Sequence, residues 1–318
     1  MKYYCRMNIK DARIVFMGTP QIAADCLRGL IENGYQIVGV VSQPDKKVGR
    51  KEILEKTPTK LVAESYNIPV FQPVKIRQDY EFIKDLRPNL ILTLAFGQIV
   101  PQGLLDIPDQ GCLNLHGSLL PKYRGASPVQ TALINNESVT GVTLMEMIKE
   151  MDAGKMFAKE TVNIDEDDNA TTLFNKIGKA ALTLALRELP HYLNDELPGE
   201  EQNPDEVSFC STIKPEQEKL NLELTAKELN GWIRGLSDNP GAYLYLDGLK
   251  IKIFKARVLD ENTKEEVGTI VKSDKQGLCF QTKNGLIQIL ELQKEGKKRT
   301  DYRSFINGNQ NLLGKKFN

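Results

Sequence analysis

Histidine is scarce in this chain of 318 residues, which has only His116 and His191. That scarcity excludes most multi-histidine chemistry, and a two-histidine metal site would have to recruit His191 from an acidic stretch far along the chain. The five cysteines (Cys5, Cys26, Cys112, Cys210 and Cys279) are odd in number, widely spaced and lack any Cys-x-x-Cys. Neither a zinc site nor a disulfide frame is expected, and the thiols read as reduced ones in a cytoplasm. No apolar run approaches the roughly 20 residues that span a bilayer. Met1–Arg6 lacks the apolar stretch of a secretory signal, and Met7 offers a second start. There is no Gly-x-Gly-x-x-Gly and no Gly-Lys-Ser/Thr. The first strand-to-helix turn is Gly18-Thr19-Pro20, which cannot cradle a pyrophosphate in the usual way, so nicotinamide and nucleoside-triphosphate chemistry recede.

Net charge is also missing, with 42 basic against 42 acidic residues. Yet residues 211–318 carry 19 Lys and Arg against 14 Asp and Glu, a net of +5, which leaves −5 for the rest. A basic C-terminal part suits a nucleic-acid surface, although ordinary charge scatter gives imbalances of this size.

What is present reads as two soluble domains. Hydrophobic residues make up 41% of the chain and charged ones 26%, and the length exceeds one ordinary domain. Arg13–Met17 is a buried-type strand, with Thr19 placed as an N-cap and Pro20 at the first helical position. A helix follows through Leu30 to Gly34, then a strand at Ile37–Val41. The pattern continues with helices near Pro58–Tyr66 and Asp79–Leu86, a short strand at Pro69–Phe71 and a central one at Leu90–Ala95. The strand of Asn114, a helix from Pro128 and a strand at Gly141–Met147 complete it. This calls for an α/β fold, a Rossmann-like, mostly parallel sheet with helices on both faces. A long helix over Thr171–Leu193 closes the first domain, and the Pro/Gly-containing acidic run Leu197–Glu206 reads as a linker. We place the boundary at 1–205 and 206–318. Beyond it, a helix over Ala226–Gly235 precedes five short strands (Ala242–Leu246, Lys250–Ala256, Gly268–Val271, Leu278–Gln281 and Leu286–Leu292), the pattern of a small OB-like β-barrel.

The stretch that carries chemistry runs from Gly111 to Gly154. Leu113 and Leu115 alternate with Asn114 and His116, so on a strand the amide and the imidazole share one face. Gly117 ends the strand and Ser118–Pro121 turns away. A lone histidine is more often a satisfied core residue, and Asp152 in Met151-Asp152-Ala153-Gly154 is more often a turn aspartate. Their company reverses that preference. A serine hydrolase based on Ser118 is disfavoured by the absent Gly-x-Ser-x-Gly elbow and by a histidine badly placed to act as its base.

Asn114-Leu115-His116-Gly117-Ser118-Leu119-Leu120-Pro121, Tyr123-Arg124-Gly125 and Met151-Asp152-Ala153-Gly154 resemble the folate-dependent formyltransferases, and the likeness runs from Phe16 to about Lys298. It implies a Rossmann-like catalytic domain followed by an OB-like one. It also implies transfer from 10-formyltetrahydrofolate to the α-amino group of methionine on initiator tRNA, without a metal. Catalysis would fall to Asn114, His116 and Asp152: donors at the oxyanion, and a base for the amine's surplus proton. Ser118, Leu119, Leu120 and Pro121, with Leu94, Phe96, Gly97 and Ile148, would line the folate groove. Rival acceptors are a small amine or water, and a further rival is an RNA-binding protein without activity.

The loop Ser42–Lys51 holds Lys46, Lys47, Arg50 and Lys51 with almost nothing to bury, a mobile segment able to close on an anion. The resemblance makes it a tRNA-acceptor loop, although the family's Arg-Gly-Lys is Arg50-Lys51-Glu52 here. Arg124 is placed equally well to meet a phosphate or to brace its turn. Lys294, Lys297, Lys298 and Arg299 form a second basic cluster suited to phosphate contacts.

Overall fold

The computed structural model describes residues 10–48 and 52–318. Arg50, Lys51 and Met7 lie outside those residues. In chain order the first elements are β1 (Arg13–Gly18), α1 (Gln21–Glu32), β2 (Gln36–Val41), β3 (Lys46–Val48), β4 (Ile53–Glu55), α2 (Pro58–Ser65), β5 (Val70–Phe71), α3 (Phe82–Asp85) and β6 (Leu90–Leu94). Then come α4 (Gln102–Leu105), β7 (Cys112–His116), β8 (Arg124–Gly125), α5 (Pro128–Ile134), β9 (Val139–Glu146), β10 (Met156–Asn163), α6 (Ala170–Tyr192) and β11 (Phe209–Cys210). The last are α7 (Ala226–Leu236), β12 (Ala242–Leu246), β13 (Leu249–Leu259), β14 (Ile270–Asp274), β15 (Gly277–Gln281), β16 (Leu286–Lys294), β17 (Thr300–Asp301) and α8 (Tyr302–Asn307).

These form two compact units. One holds the chain up to Gly125, Thr140–Asn163 and Phe174–Phe209; the other holds Ala126–Val139, Ile164–Leu173 and Cys210–Asn318. The first unit is built on a seven-stranded sheet ordered β10-β9-β7-β6-β1-β2-β5. The pairs β1–β2, β1–β6, β2–β5 and β6–β7 are parallel, while β7–β9 is antiparallel. β6 is buried along its whole length, which is why its sequence is a nearly continuous apolar run. Val15, Met17, Ile91 and Cys112 form one packed face with Ile76, Ile83 and Leu104.

Three expectations are corrected. Thr19 does not cap α1: Pro20 itself takes the cap position, with φ −76° and ψ 178° and no side-chain bond. The Thr19 hydroxyl instead donates to Phe96 O (3.1 Å) and accepts from Gln43 N–H (3.2 Å), joining the loops at the ends of three strands. The acidic run is not a linker, since Glu200 exchanges both backbone hydrogen bonds with Met156, each 2.8 Å, and Gln202 is 9% exposed. Composition averages over side chains that face water and misses the one that does not. Residues 46–48 and 53–55 are not irregular either: β3 and β4 pair antiparallel, Lys46 opposite Glu55 and Lys47 opposite Leu54. The strand β10 leaves little trace in the sequence because it is an edge strand with a weak apolar alternation.

In the second unit the sheet order is β12-β13-β16-β15-β14, with β17 on β16. α7 starts on a Thr225–Glu228 capping box and sends Leu229 and Ile233 into a core with Phe280 and Ile289. It also packs on α5, where a side chain at Gly231 would strike Ile134 O at 2.5 Å. The segment Gly314–Asn318 supplies what the sheet edges lack. Ile270 N–H donates to Lys315 O and Phe317 N–H to Gly268 O on the β14 side. Tyr245 of β12 exchanges a pair of 2.9 Å bonds with Asn318. Phe317 is fully buried, 5.2 Å from the Phe280 ring.

Candidate active site

β7 delivers Asn114 and His116 to the sheet face that carries Cys112. Leu113 and Leu115 point the other way and are almost fully buried. Parallel register sets Thr93 of β6 beside Asn114, and antiparallel register sets Met145 opposite Asn114 and Thr143 opposite His116. The Asn114 amide makes no hydrogen bond to another described residue, so its donors are free for a ligand. The Thr93 hydroxyl is buried without a partner among the described residues.

His116 is 5% exposed and lies between two acceptors. Its Nε2 is 2.9 Å from Tyr123 O, and a carbonyl can only accept, so Nε2 carries a hydrogen. Its Nδ1 is 3.7 Å from Asp152 Oδ1. At that distance Nδ1 and the carboxylate face each other without a hydrogen bond. Asp152 is steadied from the other side, where Gly125 N–H donates to Oδ2 at 2.8 Å.

The backbone here is held in unfavourable conformations. Ala95, Tyr123 and Asp152 have φ of 50°, 60° and 51°, each costing on the order of 1 kcal/mol in an L-residue. Such strain persists only where surroundings impose it. Gly154 closes the Asp152 turn, and no other residue fits: a Cβ there would run into Glu146 O.

The turn after β7 is braced internally. Ser118 Oγ donates to Lys122 O at 2.6 Å rather than to His116, which removes it as a nucleophile. Thr143 Oγ1 donates to Ser118 O (2.7 Å) and accepts from Leu120 N–H (3.0 Å). Leu120 packs on Met145 and Met156, Pro121 is buried, and Leu119 is half-buried. Leu94 and Phe96 turn their side chains inward, so Ala95 and Gly97 present backbone instead, while Ile148 and Met151 are exposed.

Two residues that the sequence did not single out hold this assembly. Ser208 Oγ accepts from Tyr123 N–H (2.9 Å), and Ser208 O accepts from Arg124 N–H (2.8 Å). Gln202 Oε1 accepts from Arg124 Nε (2.9 Å), while its Nε2 donates to Asp152 O and Gly154 O, both at 2.8 Å. Nothing in their local sequence marks either one.

The basic candidates divide. Lys46 is exposed, and Lys47 pairs with Glu52 at 3.0 Å. In the second unit Lys297 and Lys298 are exposed, with no side-chain partner among the described residues. Arg299 is instead committed to Asp238 and Glu291 and lies over the Phe254 ring, and Lys294 donates to Asn309. Among the described residues no three His, Cys, Asp or Glu side chains are grouped to hold a metal, and no helix is long and apolar enough to cross a membrane. A shallow hollow lined by Lys84, Arg87, Asp106 and Asp109 contains none of the groups above.

A family model described as formyl transferase matches residues 12–189, and one described as formyl transferase, C-terminal domain, matches residues 212–310. The chain is 43% identical over 297 residues to the methionyl-tRNA formyltransferase of Lactobacillus acidophilus, covering 93% of this chain and 95% of that protein. Among solved structures it is similar to an N-formyltransferase from Helicobacter canadensis in complex with folinic acid and dTDP-3-aminofucose. That match has a TM-score of 0.68 at 21% identity and covers 89% of this chain and 99% of the other. It is also similar to HypX from Aquifex aeolicus in complex with tetrahydrofolic acid, with a TM-score of 0.64 at 17% identity over 92% of this chain. There the chain spans about half the length of its relative, 46%. At these identities the two structures speak for the fold alone.

Proposed function

The chain belongs to the formyl transferase family, and from that premise we infer that it moves a formyl group from 10-formyltetrahydrofolate to the α-amino group of methionine on initiator tRNA. The observation that carries this reading is the triad: a free amide at Asn114, an imidazole placed between two acceptors, and a carboxylate anchored by Gly125 N–H. The identity of more than 40% to methionyl-tRNA formyltransferases over nearly the whole chain supports the acceptor.

Attack of the amine on the formyl carbon makes a tetrahedral centre with negative oxygen and positive nitrogen. Asn114 donates to that oxygen, and His116 donates to it through Nδ1, which at 3.7 Å from Asp152 Oδ1 is not held in a hydrogen bond; each such donor contributes roughly 3 kcal/mol to the transition state. Asp152 takes the surplus proton, directly or through water, while orienting His116. The new C–N bond survives, the bond to the folate nitrogen breaks, and that nitrogen takes up a proton.

In this reading residues 1–205 carry the chemistry and residues 206–318 hold tRNA, in a cytoplasmic enzyme of translation initiation. Ser118–Pro121, Leu94, Phe96, Gly97 and Ile148 shape the folate groove largely through backbone. Lys46, Lys47, Arg50, Lys51 and Arg124 meet the acceptor end, and Lys297 and Lys298 meet phosphates further along. The test is formyl transfer from 10-formyltetrahydrofolate to charged initiator tRNA, to glycinamide ribonucleotide and to water. Transfer to the tRNA alone is expected; transfer only to the small amine, or formate release alone, would overturn the acceptor.

A further inference from the structure

Gln202 sits in a run whose other members mostly face solvent, yet it is buried and every part of its amide that faces the site is used. Its surroundings fix the orientation of that amide. Asp152 O and Gly154 O only accept, so the NH2 must face them; Arg124 Nε–H only donates, so the oxygen must face it. One side chain therefore ties down both ends of the left-handed turn that presents the Asp152 carboxylate. The same side chain takes one donor of the Arg124 guanidinium and leaves its two terminal nitrogens without a hydrogen bond among the described residues.

We propose that Gln202 is a positioning residue with two separable duties: its NH2 sets the Asp152 turn for proton transfer, and its oxygen aims the Arg124 fork at the anionic acceptor. The proposal rests on the functional reading above and adds a residue to it. The physical case is one of over-determination. A residue at φ 51° relaxes unless neighbours hold it, and a misplacement near 1 Å at a reacting group costs about 100-fold in rate. Gly125 N–H holds the carboxylate of Asp152, and Gln202 holds its carbonyl. A planar guanidinium anchored at Nε presents its remaining N–H groups as a pre-aimed fork for a phosphate.

Two near-isosteric variants separate the duties. Gln202→Glu loses the NH2 and keeps an acceptor for Arg124, whereas Gln202→Leu loses both. Steady-state transfer to charged tRNA should show kcat reduced at least tenfold in both variants. The KM for tRNA should rise only in Gln202→Leu, although the thermal midpoint falls in both variants, because the buried partners of the amide are left unpaired. In an Asp152→Asn background, Gln202→Glu should add no further loss, because the turn then has no base to place. An undiminished kcat in both variants overturns the proposal. So does a loss from Gln202→Glu that multiplies fully with that of Asp152→Asn, or a parallel change of kcat and KM that tracks a lowered midpoint. The readings remain distinguishable: a fast Asp152→Asn enzyme sinks the assignment of the base, while a slow Asp152→Asn with a fast Gln202→Glu sinks Gln202 alone.

Discussion

His116 has a carbonyl on one nitrogen and a carboxylate near the other, so Tyr123 O and Asp152 set its orientation. Asp152→Asn keeps the hydrogen bond from Gly125 but loses the charge and the base. Single-turnover transfer should slow by about 100-fold or more, with folate affinity in equilibrium titration changed less than about twofold. A near-normal rate would remove Asp152 as base. Thr93 supplies a stability counterpart. Its hydroxyl is buried with no partner among the described residues, a condition that costs about 1–3 kcal/mol. Thr93→Val keeps the shape and removes the orphan, so urea denaturation should show a gain near 1 kcal/mol. A loss instead would mean that the hydroxyl has a hidden partner such as an ordered water.

The segment after β2 shows how an element can be tethered where its composition says otherwise. Asp45 bonds Lys60 Nζ (2.6 Å) and Gln72 Nε2 (2.7 Å), and Gln72 also reaches Gln43 O (2.8 Å). Burial pushes the Asp45 carboxyl up, but the bonds from Gln72 and Lys60, with the Lys60 charge, outweigh it and hold the group below its usual value. A carboxyl depressed in the folded state adds stability above the unfolded value near pH 4, and that contribution drains as pH falls through the folded value. Asp45→Asn should therefore lower the urea midpoint at pH 7, and its gap from wild type should close below about pH 4. A gap independent of pH would show that packing, not charge, anchors the loop.

At the scale of the whole molecule, electrostatics divide along the chain. The net +5 of residues 211–318 is not uniformly available, because Arg299, Lys315 and Lys316 are all taken by carboxylates. Lys297 and Lys298 are the exposed remainder of the cluster identified in the sequence. Lys297→Glu with Lys298→Glu should weaken tRNA binding and reduce the log–log salt slope by about two. Titration across about 50–200 mM salt reads this directly; an unchanged slope would place the RNA elsewhere.

What the sequence determined by itself was whatever depends on local periodicity and on residue type. The parallel strands announced themselves because burial on both faces demands unbroken apolar runs. Asn114 and His116 were legible because alternation on a strand puts them on one face. The family was legible in a long motif that few other chemistries need. Tertiary structure alone decided which polar groups are spent and which are left over. Ser118 is consumed by Lys122 O, Thr19 by Phe96 O and Arg299 by two carboxylates, while Asn114 remains free. Gln202 enters the site 50 residues after Asp152. A hydrogen bond between residues that far apart leaves no periodic trace, since its geometry is set by how the sheet and its loops pack and not by its neighbours in the chain.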